Sequence, residues 1–452
     1  MSTRRRYAVV GLGGRAVCFL DAIVGNHRAN CELVGFCDPS ATRMNWHNQR
    51  LKNRFQHAPV PSYGTKDFEA MIGQERVETV LVTTMDCLHH EYIIRAMEQG
   101  CDVICEKPMT IDAEKIRAIF DAIQRTGRKL RVTFNYRYQP YVTRLRQLVA
   151  DGVVGRPLAV DFSWVLDTRH GADYFRRWHR EKRNSGGLLV HKATHHFDLI
   201  NWWIDSYPQT VYAMGDLKFY GKQNAAARGK TYPYDRYTGH PEAKQDPFAL
   251  FLNEGEGPSK TDTGAHNQST LRGLYLEAEA DSGYIRDRNV FGEPIDIEDT
   301  MAVTARYRNG VILNYSLIAY CPWEGFQVAV TGDRGRLEYR EKHGSHIITG
   351  QDGNQLSAEQ AKGAECDMRV FPMFGESYPV EVIAAAGGHG GGDPIMLEQI
   401  FSSDAPPDPH GRAASHIDGA ASILMGISAN QSIMTGQPVQ VDDLVKLPSP
   451  DS

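Results

Sequence analysis

The 452-residue chain contains no run of about 18 apolar residues, so nothing in it reads as a membrane-spanning helix. Its eight cysteines include no CxxC pair and no zinc-like cluster, which points to reduced thiols and a cytoplasmic setting. Lysine and arginine number 50 against 55 aspartates and glutamates, a formal net charge of −5. That balance gives no electrostatic case for nucleic acid or an anionic membrane as a partner. No internal repeat is present. The arginines of "MSTRRRYAVVGLGGRAV" imitate an export signal, but the apolar run after them is short and lacks a cleavage site. A first β-strand explains the run better. What is there, 41% hydrophobic and 23% charged residues, is the composition of a soluble globular protein, and the length calls for two domains.

Over residues 1–135, short apolar runs alternate with helical stretches. "YAVVGLG" (7–13), "CELVGFCD" (31–38), "VETVLVTT" (77–84), "CDVICEK" (101–107) and "KLRVTFNYR" (129–137) are strand candidates. Between them "IDAEKIRAIFDAIQRTG" reads as a helix with an acidic first turn and a glycine stop. The alternation predicts an α/β domain with a doubly wound parallel sheet. Residues 136–452 have another texture. "PLAVDFSWVL", "TVYAMGDLKFY", "DTMAVTARYRNGVILNYSLIAY" and "FQVAVTGDRGRLEYRE" are strand-rich with hairpin signals, so an α+β domain with a mostly antiparallel sheet is expected. The polar stretch 221–264 reads as a long insertion without regular structure that covers the site or reaches a neighbouring subunit. The tail "AASHIDGAASILMGISANQSIMTGQPV" reads as a C-terminal helix.

"VVGLGGRA" places Gly11, Gly13 and Ala16 in a GxGxxA pattern between the first strand and a helix. The first glycine makes the tight turn, the second lets backbone approach a pyrophosphate, and the small third residue lets helix pack on strand. Gly14 and Arg15 complete the candidate cofactor loop. The second strand ends in Asp38, 22 residues after Ala16, where a carboxylate can accept both ribose hydroxyls of the adenosine. A negative charge there favours NAD over NADP, a preference that nearby Arg43 would soften. NAD is therefore the expected cofactor.

"CDVICEKPMT" carries Glu106, Lys107 and Pro108 at the end of a later strand. Together with the glycine turn this resembles the glucose–fructose oxidoreductase / inositol dehydrogenase / rhizopine-catabolism (Gfo/Idh/MocA) family. "TTMDCLHHEYIIRAMEQGCDVICEKP" is similar to that family's stretch up to its EKP motif, with Thr84 and His89 in place and Met85-Asp86 where the family often has Pro-Asn. "FNYRYQP" (134–140) and "GGLLVHKATHHFDLINWW" (186–203) match as well. The resemblance spans essentially the whole chain. It implies a Rossmann domain, an α+β domain with an open antiparallel sheet, tightly held NAD(P), and hydride transfer to or from a sugar or cyclitol hydroxyl. It also implies dimers or tetramers. Thr84, His89 and Glu106 enter as cofactor-site candidates by this route.

Elementary chemistry gives Lys107 a role of its own. Proline after it restricts its backbone, the strand end faces the crevice where ligands of such sheets lie, and an ammonium there can stabilise a developing alkoxide. If 186–203 is one helix, His191, His195 and Asp198 fall at i, i+4 and i+7 on a shared face. His195 aligns with the family's catalytic histidine and can take the hydroxyl proton, while Asp198 could orient ligand or imidazole. His191 departs from the family, which usually has aspartate there, and Lys192 alters the motif further. HxxxH on a helix can also ligate zinc, but no third ligand is apparent beyond Asp198, and no metal is expected. Trp164, Arg169, His179, Lys192 and His389 are weaker substrate-site candidates, the last inside "GGHGGGDP", which resembles the HGGxD segment of NAD-dependent α-N-acetylgalactosaminidases. Three functions follow: an NAD-dependent carbohydrate dehydrogenase first, then a redox-neutral glycosidase or lyase working through transient oxidation, then a non-catalytic sugar or dinucleotide sensor.

Overall fold

The computed structural model describes residues 4–253, 268–345, 365–382 and 390–448. Six strands, β1 (Arg5–Val10), β2 (Cys31–Cys37), β3 (Ser62–Tyr63), β4 (Thr79–Val82), β5 (Asp102–Cys105) and β6 (Leu130–Val132), form a parallel sheet in the order β3-β2-β1-β4-β5-β6. That is the doubly wound order, with the chain reversing direction beside β1. The apolar runs are nearly continuous because helices cover both faces; Val80, Leu81 and Val82 of β4 are all fully buried. Ala414–Ser415 extends the sheet by one short antiparallel strand on β6.

The second sheet contains β7 (Pro157–Asp167), β8 (Pro208–Asp216), β9 (Thr300–Tyr307), β10 (Ile312–Cys321), β11 (Trp323–Gly332), β12 (Gly335–Ser345) and β13 (Glu365–Pro372). Its order is β13-β12-β11-β7-β10-β9-β8, with the short strands Tyr378–Pro379 and Val439–Gln440 at its two edges. Every pair is antiparallel except β7 with β10. In β9 Met301, Val303, Ala305 and Tyr307 are buried and alternate with exposed residues, the pattern of a sheet with one covered face.

The covering layer holds the two segments that matter for the site. The C-terminal helix His416–Thr435 starts with a capping box between Ser415 and Asp418. It lies so close to the histidine-rich segment that a Cβ on Gly426 would sit 2.3 Å from the Leu189 carbonyl oxygen. The histidine-rich segment itself is not the single helix the spacing suggests. It is two, Leu188–His191 and Thr194–Ile204, broken at Lys192 and Ala193.

The stretch 221–264 is also more ordered than its composition implies. Its described part contains a helix at Lys222–Ala227, a 3₁₀ turn at Pro241–Gln245 and a small core of Tyr234, Tyr237 and Ala243. Arg236 pins it to Glu279 and Asp287, each at 2.7 Å. Residues 254–264 lie outside the described residues. Among the described residues no helix is long and apolar enough to cross a membrane.

Candidate active site

At the end of β1 the chain turns through Gly11 at φ +86, and a Cβ there would lie 2.6 Å from the Thr84 amide nitrogen. Only glycine fits that turn. The helix Ala16–Asp21 follows, with Ala16 fully buried against the sheet. Asp38 stands just past the end of β2, 3% exposed, and accepts hydrogen bonds from the Leu12 amide at 2.7 Å and the Ser40 amide at 2.8 Å. Burial pushes its carboxyl up, while Arg43 and the two amides act against that shift. Glycine turn, helix N-terminus and strand-end carboxylate together fit a dinucleotide. Gly13 has open space around it apart from the Tyr275 hydroxyl, 3.6 Å from where its Cβ would be.

Tyr275 belongs to a stretch with no motif that connects it to this loop. The Gly14 amide donates to the Tyr275 hydroxyl at 3.0 Å. Arg43 donates through Nε to the Leu274 carbonyl at 2.9 Å and through Nη2 to the Ser282 hydroxyl at 3.2 Å. Asp281 receives the Ser40 hydroxyl at 2.7 Å and the Thr42 amide at 2.9 Å. Residues 274–282 therefore strap across the glycine loop and the start of the helix after β2. Arg15 turns the other way: its Nε lies 2.6 Å from Glu106 and its Nη2 3.1 Å from Asp393. Asn135 also donates to Asp393, at 2.8 Å. This anchors the glycine-rich segment beside the EKP motif; His389 itself lies outside the described residues.

Lys107 follows β5 at the edge where β1 and β4 also end, half-buried, with its amide bonded to Glu106 Oε2 at 3.1 Å. Burial lowers its pKa, and the carboxylates of Glu106 and Asp86 act against that shift. His89, expected at the cofactor, has its ring nitrogens 2.7 Å and 3.1 Å from the carbonyl oxygens of Pro108 and Thr84. It ties the turn after β4 to the EKP turn.

Beside Lys107 the structure brings together three buried groups from distant parts of the chain. His191 Nδ1 is 2.5 Å from Asp86 Oδ2. His179 packs edge-on against His191, ring centres 4.1 Å apart, and stacks on Trp178 at 3.6 Å. Its Nδ1 is buried and, among the described residues, has no hydrogen-bond partner. Burial lowers the pKa of His191, and the charges of Lys107, Arg177 and Lys192 push it the same way, so this imidazole is neutral. Burial raises the Asp86 carboxyl well above its ordinary range, with the Glu106 charge adding to the shift and the Lys107 and Arg177 charges opposing it. Asp86, His179 and His191 also have ligand atoms within 4.8 Å of one another, but the adjacent Lys107 and Arg177 cations oppose a divalent ion there.

His195 comes from the second helix, 4% exposed, and stacks flat on Tyr136 at 4.2 Å with Phe134 edge-on at 5.9 Å. Lys192 lies between. Its ammonium sits 4.6 Å over Trp164 and donates to the Tyr136 hydroxyl at 3.3 Å, and burial brings its pKa down to about 8. Tyr136 thus touches both groups, which makes it a more central residue than its place at the domain junction indicated.

Two expectations need correction. Asp198 does not orient ligand or imidazole: both its oxygens are taken by Arg137, at 2.8 Å and 2.6 Å, in a fully buried pair. Trp164 is 1% exposed and stacked between His196 and Phe326, so it supports the floor under Lys192 and does not meet a ligand. Arg169 is exposed at the turn after β7. His196 packs as expected, with Nδ1 2.7 Å from the Tyr315 hydroxyl.

Comparison with known proteins fits this geometry. Residues 5–134 match the family described as "Oxidoreductase family, NAD-binding Rossmann fold", and residues 146–441 match "Oxidoreductase family, C-terminal alpha/beta domain". YteT of Bacillus subtilis, named only as an oxidoreductase, is 30% identical over 97% of this chain and 98% of its own. The D-glucoside 3-dehydrogenase of Escherichia coli is 29% identical over 44% of this chain and 53% of its own. Among solved structures, aldose-aldose oxidoreductase from Caulobacter crescentus shares the fold with TM-score 0.58 at 17% identity, covering 97% of this chain and 100% of that one. An oxidoreductase from Agrobacterium radiobacter, solved with NAD+, L-tartaric acid and magnesium, does so with TM-score 0.61 at 13% identity, covering 98% and 100%.

Proposed function

Because the chain belongs to the Gfo/Idh/MocA oxidoreductase family, we propose that it is an NAD-dependent dehydrogenase acting on a hydroxyl of a sugar, glycoside, uronate or cyclitol. Lys107 carries this proposal: a lysine with depressed pKa at the carboxyl edge of the parallel sheet, flanked by Asp86 and His191. Nicotinamide bound in this cleft would supply the hydride acceptor. The Gly11–Gly14 turn and the helix starting at Ala16 would hold the diphosphate, and Asp38 the adenosine ribose. NAD is favoured over NADP because Asp38 would face a 2′-phosphate, and because Arg43 already donates to Leu274 and Ser282. Lys107 would donate to the reacting oxygen and stabilise its developing negative charge. His195 would take the hydroxyl proton, its ring held by the Tyr136 stack.

Absorbance at the reduced-nicotinamide band, followed with purified protein and NAD across free sugars, glycosides, uronates and cyclitols, tests this directly. A rise accompanied by a ketone product is the expected result. Cleavage of a glycoside with no net rise would point instead to a redox-neutral reaction, and dinucleotide binding with neither change would leave a sensor.

The strap makes a separate prediction. A diphosphate on the glycine loop needs the Gly14 amide that the Tyr275 hydroxyl now occupies. Tyr275→Phe removes that competitor, so NAD should bind more tightly, by about 2- to 10-fold for a net hydrogen-bond contribution of about 0.5–1.5 kcal/mol. A fluorescence titration measures it, and weaker binding in the variant would mean that the hydroxyl turns to the phosphate and helps hold it.

A further inference from the structure

We propose that Arg177 binds a carboxylate of the substrate, so that the sugar taken into this site is a uronate or another sugar acid and not a neutral sugar or cyclitol. The proposal narrows the dehydrogenase reading above and rests on it for the placement of the sugar beside Lys107.

Three arginines share one carboxylate. Asp173, on the helix His170–Arg176, lies 2.8 Å from Arg286, 3.2 Å from Arg176 and 3.4 Å from Arg177. Among the described residues none of the three arginines has another ion pair. One negative charge against three positive ones leaves a surplus, and distance and accessibility place it on Arg177. Arg286 is sealed from water, and among the described residues its Nε and Nη1 have no partner, so it depends on Asp173. Arg176 also donates to the Phe248 carbonyl at 3.0 Å. The Arg177 side chain is 24% accessible, against 6% for Arg176 and 3% for Arg286. A guanidinium kept only to hold these segments together would sit closest to Asp173 and out of water. Arg177 does the reverse.

Its charge is directed at the site. Arg177 stands two residues before His179, whose ring packs on His191 at 4.1 Å. The guanidinium acts electrostatically on Lys107, Asp86 and His191. The acids of the cleft do not neutralise it. Glu106 pairs with Arg15 at 2.6 Å and Glu324 with His170 at 2.9 Å, while burial pushes the Asp86 carboxyl toward its neutral form. Lys107 and Lys192 add positive charge around the same space. A cleft lined by one sign of charge selects a ligand of the other. One surplus guanidinium, with its planar fork of donors, matches one carboxylate. Lys107 stays with the reacting oxygen, and the glycine turn supplies the cofactor diphosphate with donors of its own.

The experiment reads binding separately from turnover. NAD-loaded protein is titrated calorimetrically with the methyl glycosides of glucuronate and galacturonate, with those of glucose and galactose, and with glucose 6-phosphate. Absorbance of the same mixtures reports reduced nicotinamide. Wild-type protein should bind at least one acid about 10- to 100-fold more tightly than its neutral parent, the range of a charge-assisted contact. Arg177→Gln should bring that ratio below about threefold with NAD affinity nearly unchanged, and Arg177→Lys should restore part of it. Acids that bind wild-type protein no more tightly than their neutral parents, or not at all, overturn the proposal, and that arm depends on no variant folding. A preference confined to the sugar phosphate overturns it as well. So does a ratio that survives Arg177→Gln while NAD affinity falls, which would put the guanidinium on the cofactor. Arg177-dependent binding of an acid without any reduced nicotinamide supports the site and counts against the dehydrogenase reading alone.

Discussion

Lys107→Met should lower hydride transfer by about 10²- to 10⁴-fold, the range seen when a positioned proton-handling group is lost, or about 3–5 kcal/mol of transition-state stabilisation. NAD should still bind, because the glycine turn and Asp38 would hold its diphosphate and adenosine ribose without the Lys107 ammonium. The pH profile adds a second readout. The lysine must be charged to stabilise an alkoxide, and burial lowers its pKa. Activity should therefore be lost as pH rises through that depressed value, with an alkaline limb below the ordinary lysine range. The methionine variant should lack that limb. Stopped-flow absorbance of the reduced nicotinamide, with tryptophan quenching for cofactor binding, measures all three. Turnover within tenfold of wild type would remove Lys107 from the proton chemistry and leave His195 or His191 to carry it.

Local patterns made the cofactor half of the site readable. A strand followed by GxGxxA, and a second strand ending in aspartate, are short-range features whose physical reasons reside in the same few residues. Gly11 is required by a turn that the next strand crosses, and Asp38 by its position at a strand end. The strand alternation in "DTMAVTARYRNGVILNYSLIAY" likewise identifies a half-covered sheet, which β9 and β10 form.

The other half of the site depends on contacts between segments far apart in the chain. Asp86 and His191 are 105 positions apart, and each looked like an isolated departure from a family motif. The fold brings the two together, the Asp86 carboxyl facing the His191 imidazole. Two departures of complementary chemistry were the available signal. Tyr275 had none, because nothing in "LRGLYLEAEADS" marks it as a partner of a glycine loop 261 positions earlier. The error over Asp198 has a different origin. Helical spacing assigns a face but not what covers that face, and here a break at Lys192 and an arginine from the turn after β6 decide the matter.

That arginine leads to the largest expected effect on stability. Arg137 reaches Asp198 through two hydrogen bonds and Asp418 through a third at 3.0 Å, with Arg137 and Asp198 only 2% and 1% exposed. It joins the turn after β6 to the helix carrying His195 and to the capping box of the C-terminal helix. A buried pair of this kind contributes little relative to an apolar replacement of both partners, but removing one partner strands a charge in the interior. Asp198→Ala should therefore destabilise the protein by about 3–5 kcal/mol, read as a lower midpoint in urea unfolding. Turnover of the molecules that remain folded should fall far less than in Lys107→Met. A catalytic aspartate predicts the reverse pattern: an unchanged midpoint with turnover down by about 10²-fold or more. Arg137→Met provides the matching measurement from the other side of the pair. It should lose comparable stability, because it leaves Asp198 buried without its guanidinium and Asp418 without one of its donors.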